Sequence, residues 1–143
     1  MVDKRQGAQA LTPKPNQPRQ LVLAGKPQSA SAARQFAREY VLHCTPDADE
    51  DHVDTVLLVT SELVTNAIRY GTEPGDSFAL TLDSRDSVTR VEVRDPVRRH
   101  PRRRPESHMR DRGRGLLILD GLCPAWGVDD ALFGKVVWAE VAR

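Results

Sequence analysis

The sequence predicts an α+β fold: a two-layer α/β sandwich in which one mixed, mostly antiparallel sheet of about five strands carries three helices on one face. Three observations lead there. Val53, Val56, Leu57, Leu63, Val64, Ala67 and Ile68 recur at helical spacing and define a core stripe. Residues 78–82 (Phe-Ala-Leu-Thr-Leu) and 88–95 (Val-Thr-Arg-Val-Glu-Val-Arg-Asp) alternate apolar with polar, as the strands of a hairpin with one buried face do. The element order is strand, two helices, two strands, loop, helix, two strands, which suits helices segregated to one face of an antiparallel sheet.

Each element has its own signals. Residues 1–19 hold Pro13, Pro15 and Pro18 among Gln, Lys and Asn with almost no apolar pattern, and read as a tail before a domain spanning 20–143. Leu21, Val22, Leu23 and Ala24 form a short strand ended by Gly25 and Pro27, after which Ser29 or Ser31 is placed to cap a helix reaching about His43. Phe36, Tyr40 and Val41 should face its core. Thr45-Pro46-Asp47 breaks that helix, and Asp47, Asp49, Glu50 and Asp51 place negative charge at the start of the next, where it complements the helix dipole. The second helix ends at Gly71. Glu73-Pro74-Gly75-Asp76 is a turn into the hairpin, and the polar, proline-containing stretch 96–112 is a loop. Gly113-Arg114-Gly115 opens an unbroken apolar run to Leu122 that suits a buried helix packed on the sheet, and strand-like runs at 125–128 and 135–141 close the chain.

Composition narrows the class. A chain of 143 residues with 39% hydrophobic content suffices for one core, and no apolar run is long enough to span a bilayer. The first residues show no signal-peptide pattern, which makes the cytoplasm the expected location. Cys44 and Cys123 are far apart and outside any Cys-x-x-Cys pair, and the four histidines show no metal-ligand spacing, so reduced structural thiols are expected rather than a disulfide framework or a zinc site. The net charge of +1 is unevenly spread. Arg98, Arg99, Arg102, Arg103, Arg104, Arg110 and Arg112 crowd one segment.

Three features carry the chemistry. Glu62 and Asn66 lie about one turn apart on the second helix, on the side away from the core stripe. Asp95 ends a strand, and Gly113-Arg114-Gly115 starts a helix. Taken singly these are a solvated helix face, a turn residue and a tight turn. Together and in this order they resemble the nucleotide-binding module of the GHKL (histidine kinase-like) ATPases, over nearly everything from Gln20 onward. Within that superfamily the likeness is nearest to the small bacterial anti-sigma-factor serine/threonine kinases. Ser61-Glu62-Leu63-Val64-Thr65-Asn66-Ala67 with Tyr70-Gly71 resembles their N box. Val91 to Asp95 resembles the strand and Asp of the first glycine box, and Gly113 to Leu119 the second.

The resemblance implies ATP and Mg²⁺ as cofactors and protein kinase activity on an anti-sigma-factor antagonist, with a sigma factor as second partner and a homodimer as the assembly. Asn66 would offer a neutral oxygen to Mg²⁺, which characteristically keeps several waters while bridging protein oxygens to phosphates. Glu62 would touch a coordinated water or act as general base toward a substrate hydroxyl. Asp95 would accept a hydrogen bond from the adenine amine. Gly113, Gly115 and Leu116 would bring backbone N–H groups of a helix N-terminus to the phosphates, with Arg112 and Arg114 adding charge. The arginine-rich segment would be the lid over the triphosphate. One departure stands out: the usual Asp-x-Gly-x-Gly is here Asp95-Pro96-Val97-Arg98-Arg99, and proline removes a backbone donor where glycine allows close approach.

Other readings compete. The same domain could be a nucleotide-gated interaction module without phosphate transfer, or an inherited scaffold that no longer binds nucleotide. Clustered arginine is also the footprint of nucleic-acid binding. That reading ranks below because no aromatic residue interleaves the run to stack on bases.

Overall fold

The computed structural model describes residues 19–85, 87–96 and 119–143. Strand β1 (Gln20–Ala24) is followed by helices α1 (Ser29–Cys44) and α2 (Glu50–Asn66), the latter continued by one π-helical turn, Ala67–Gly71. Then come β2 (Ser77–Arg85), β3 (Val88–Asp95), β4 (Ala125–Ala131) and β5 (Gly134–Ala142). The strands form one sheet in the order β1-β2-β3-β5-β4, and every pairing is antiparallel. Residues 119–122 are helical, and the rest of the expected third helix, from Gly113 to Ile118, lies outside the described residues. No helix among the described residues is long and apolar enough to cross a membrane.

Alternation sorts the side chains between two faces. Phe78, Leu80 and Leu82 on β2, Val91 and Val93 on β3, and Val137, Ala139 and Val141 on β5 all point inward and are buried. They pack against Ala33, Ala37, Tyr40 and Val41 of α1 and Val53, Val56, Val59, Leu63 and Val64 of α2, with Leu119 completing the core. The outer face is polar. There the Arg90 guanidinium stacks 4.2 Å from the Trp138 ring centroid and pairs with Glu92 at 2.7 Å and Glu140 at 3.1 Å.

The two helix starts differ in how they are capped. Asp49 caps α2 by accepting the His52 N–H at 2.8 Å, as a short polar acceptor before a helix should. At α1, Ser29 is instead the first helical residue. Its hydroxyl donates to the Ala24 carbonyl at 2.7 Å, tying the helix to β1, and the preceding Gln28 makes no side-chain cap.

A buried polar chain pins the sheet end where β2 and β3 join. His52 donates from Nδ1 to the Ala142 carbonyl at 3.2 Å, which in the neutral ring leaves Nε2 to accept from the Thr89 hydroxyl at 2.9 Å. The Thr89 oxygen lies 3.0 Å from the Ser84 hydroxyl, and the Ser84 N–H donates to the Tyr40 phenol at 3.3 Å. Burial pushes the Tyr40 phenol upward from its ordinary range, and the thiols of Cys44 and Cys123 likewise, Cys123 to about 11. Both cysteines are free.

Candidate functional site

At the opposite end of β3, alternation carries the inward face one residue past the apolar set. Thr89, Val91, Val93 and Asp95 share that face, so the strand's final inward position is a carboxylate only 2% exposed. The same rule on β5 sets Lys135 inward with Val137, Ala139 and Val141. The register pairs Asp95 directly with Lys135. The Lys135 ammonium lies 3.1 Å from Asp95 Oδ1 and 2.9 Å from Oδ2, contacting both carboxylate oxygens. Burying either charge alone is strongly unfavourable, and opposite charges in contact compensate one another.

Two glycines make room for this pair. Gly71 ends the π-helical turn against Asp95, where a Cβ would overlap the carboxylate. Gly134 has a φ of 146°, open to glycine and strained for other residues, and a Cβ there would overlap the Asp95 carbonyl oxygen. Thr72 closes the turn, its hydroxyl donating to the carbonyls of Ala67 and Ile68.

The α2 end and the sheet together enclose a cleft. Leu63, Asn66, Ala67 and Tyr70 line it from the helix side, and Val93, Asp95, Val128, Lys135 and Val137 from the sheet side. Its walls are mainly apolar, and its polar groups are a carboxamide, a phenol, a carboxylate and an ammonium. That composition suits a flat, partly polar ring more than a fully charged ligand.

The expected site residues divide three ways. Asn66 and Asp95 line the same cleft. Glu62, one turn before Asn66 on α2, is half-buried and lies outside the cleft lining. Arg112, Gly113, Arg114, Gly115 and Leu116 lie outside the described residues. Tyr70, which the N-box resemblance contains without giving it a role, and Lys135, read only as part of a closing strand, are cleft residues that were not expected in the site. For Lys135 a signal existed, since a period-two count back from Val141 sets it on the inward face; the strand register supplied its partner.

The family model for a histidine kinase-like ATPase domain matches residues 23–140. None of the curated proteins compared matches the chain. Among solved structures, the histidine kinase domain of the Erythrobacter litoralis EL346 blue-light activated histidine kinase is similar at 17% identity, with a TM-score of 0.44 over 79% of this chain. The chain spans 60% of that neighbour's length. Domains of the matched family bind ATP, usually with Mg²⁺. With nearly all of the described sheet and both long helices inside the matched region, the chain belongs to the histidine kinase-like ATPase domain family.

Proposed function

We propose that this domain binds Mg²⁺·ATP in the cleft between the α2 end and the β3–β5 end of the sheet, and acts as a serine/threonine kinase on an anti-sigma-factor antagonist. The observation that carries the binding reading is the buried Asp95 carboxylate, held in a cleft that also contains the Asn66 carboxamide, in a chain of this ATPase family. Asp95 accepts from the adenine amine, and the apolar walls of Leu63, Ala67, Val93 and Val137 exclude water from the ring. Among the described residues no three His, Cys, Asp or Glu side chains converge on a metal position. The Asn66 carboxamide fits a magnesium ion that takes most of its ligands from phosphate and water. When bound, that ion neutralises phosphate charge during transfer. Glu62 then takes the proton of the attacking serine or threonine hydroxyl, whose oxygen bonds to the γ-phosphorus as the bridging P–O bond to ADP breaks.

The residues reserved for phosphate contact in this reading are Gly113, Arg114, Gly115 and Leu116, with Arg112. A sigma factor bound on a separate surface, a homodimeric assembly and a cytoplasmic location complete the proposal. Labelled ATP incubated with the chain and a candidate antagonist should pass its γ-phosphate to the antagonist. Glu62→Ala should abolish transfer while largely sparing ATP affinity.

A second reading has its own observation in favour. Glu62 stands outside the cleft lining while Asn66 is part of it, an arrangement suited to a domain that binds nucleotide and changes partner affinity without transferring phosphate. Under that reading label never moves, yet ATP shifts the affinity for the partner.

A further inference from the structure

Resting on the nucleotide-binding reading above, we propose that Lys135 reads the base: its ammonium donates to the ring nitrogen next to the exocyclic amine of adenine, while Asp95 accepts from that amine.

Lysine ordinarily keeps its charged head in water, snorkelling along apolar surface to reach it. Lys135 does the reverse. It is 8% exposed and faces inward on β5, with its ammonium against a carboxylate that is itself 2% exposed. Its other cross-strand neighbour in the register, Asp130 of β4, is exposed, and the acid its ammonium contacts is the buried Asp95. The pair is therefore built into the cleft floor.

An ammonium has three N–H donors, and contact with Oδ1 and Oδ2 takes up at most two of them. A carboxylate has about four lone-pair sites and so retains acceptor capacity after receiving Lys135. The floor thus offers a donor and an acceptor side by side, both lining the cleft. The complementary ligand edge carries a donor beside an acceptor on a flat ring that fits between apolar walls. Adenine presents this as its amine N–H next to N1. Oxopurines present it as N1–H next to O6, with the roles of Lys135 and Asp95 unchanged in kind. A lone carboxylate at this position would read only the donor half of the edge.

The test is a binding cycle on the full chain by calorimetric titration with Mg²⁺, using ATP and 1-deaza-ATP, in which C–H replaces N1. Wild type should favour ATP over 1-deaza-ATP by about tenfold, the worth of a hydrogen bond to a charged donor. In Lys135→Met that preference should vanish, whatever happens to the overall affinity, because any loss through Asp95 falls equally on both nucleotides. A preference that survives in Lys135→Met overturns the assignment, as does equal affinity of wild type for the two nucleotides. Tighter binding of GTP or ITP than ATP would transfer the pair to an oxopurine and overturn the adenine assignment. If Lys135→Met does not fold, the wild-type Lys135 ¹⁵Nζ resonance decides: ATP should slow its exchange with solvent and 1-deaza-ATP should not, and equal protection by both overturns the proposal. Failure of wild type to bind any of these nucleotides would instead remove the nucleotide-binding reading itself.

Discussion

Gly71 lies so close to Asp95 that position 71 has no room for a side chain. A side chain at Gly71 would overlap the Asp95 carboxyl group, which is already held by Lys135 and cannot swing away without breaking a buried ion pair. Gly71→Ala should therefore lower stability by about 1–3 kcal/mol through overpacking and weaken nucleotide binding as well. Thermal denaturation and ATP titration of the variant would check both. Unchanged stability would mean that the carboxylate yields without strain. At this scale the sequence was half legible. The alternation of Val91, Val93 and Asp95 set the carboxylate inward, and the resemblance assigned it a role. Its partner went unseen because Lys135 is 40 positions away, and nothing local to either residue states which positions of β3 and β5 lie opposite one another.

Among the elements, α2 does most to build the cleft. Its start is fixed by Asp49, whose carboxylate accepts the His52 N–H and lies with Glu50 and Asp51 at the positive end of the helix dipole. Asp49→Ala should cost about 1 kcal/mol in a denaturant melt while leaving ATP affinity unchanged, since the cap is at the far end of the helix from Asn66. The other end departs from α-helical geometry. After Asn66 the chain widens into the π-helical turn that delivers Gly71 to Asp95 and Tyr70 to the cleft. That turn was not legible, because residues 67–71 carry no signal distinguishing an i+5 hydrogen-bond pattern from an i+4 one; only the stop at Gly71 was readable. The hairpin strands β2 and β3 were, since their alternation runs unbroken through Phe78, Leu80 and Leu82 and through Val91 and Val93. β4 extends further than its apolar residues suggested, as Asp129 and Asp130 join the strand by backbone pairing with β5 rather than by burial.

Among the described residues, two buried polar clusters sit at opposite ends of one sheet. The His52–Thr89–Ser84 chain closes the end where β2 turns into β3, and the Asp95–Lys135 pair floors the cleft at the other. Apolar core separates them, so they should behave as independent units. Thr89→Val should strip the His52 ring of its donor and leave Ser84 without its partner, lowering stability by about 1–3 kcal/mol, with ATP affinity unaltered. Chemical denaturation paired with nucleotide titration tests this separation, and a change in affinity would show that the ends communicate through the sheet. The two-layer arrangement itself was readable from the order of elements and their periods, because each helix and strand carries its own apolar stripe. Residues 97–118, which hold most of the stretch resembling the second glycine box, are outside the described structure.

The Asp95–Lys135 contact also bears on how the sheet assembles. β3 and β5 are brought together from distant parts of the chain, and their apolar side chains, mostly valine and alanine, are similar enough that neighbouring alignments would bury comparable surface. A slip by one residue would turn Asp95 out and drive Arg94 into the core beside the helices, while a slip by two would leave both Asp95 and Lys135 buried without a counter-charge. Either error is far more unfavourable than the loss of one valine contact. The ion pair should therefore favour one alignment of these strands over its neighbours, the one that completes the cleft.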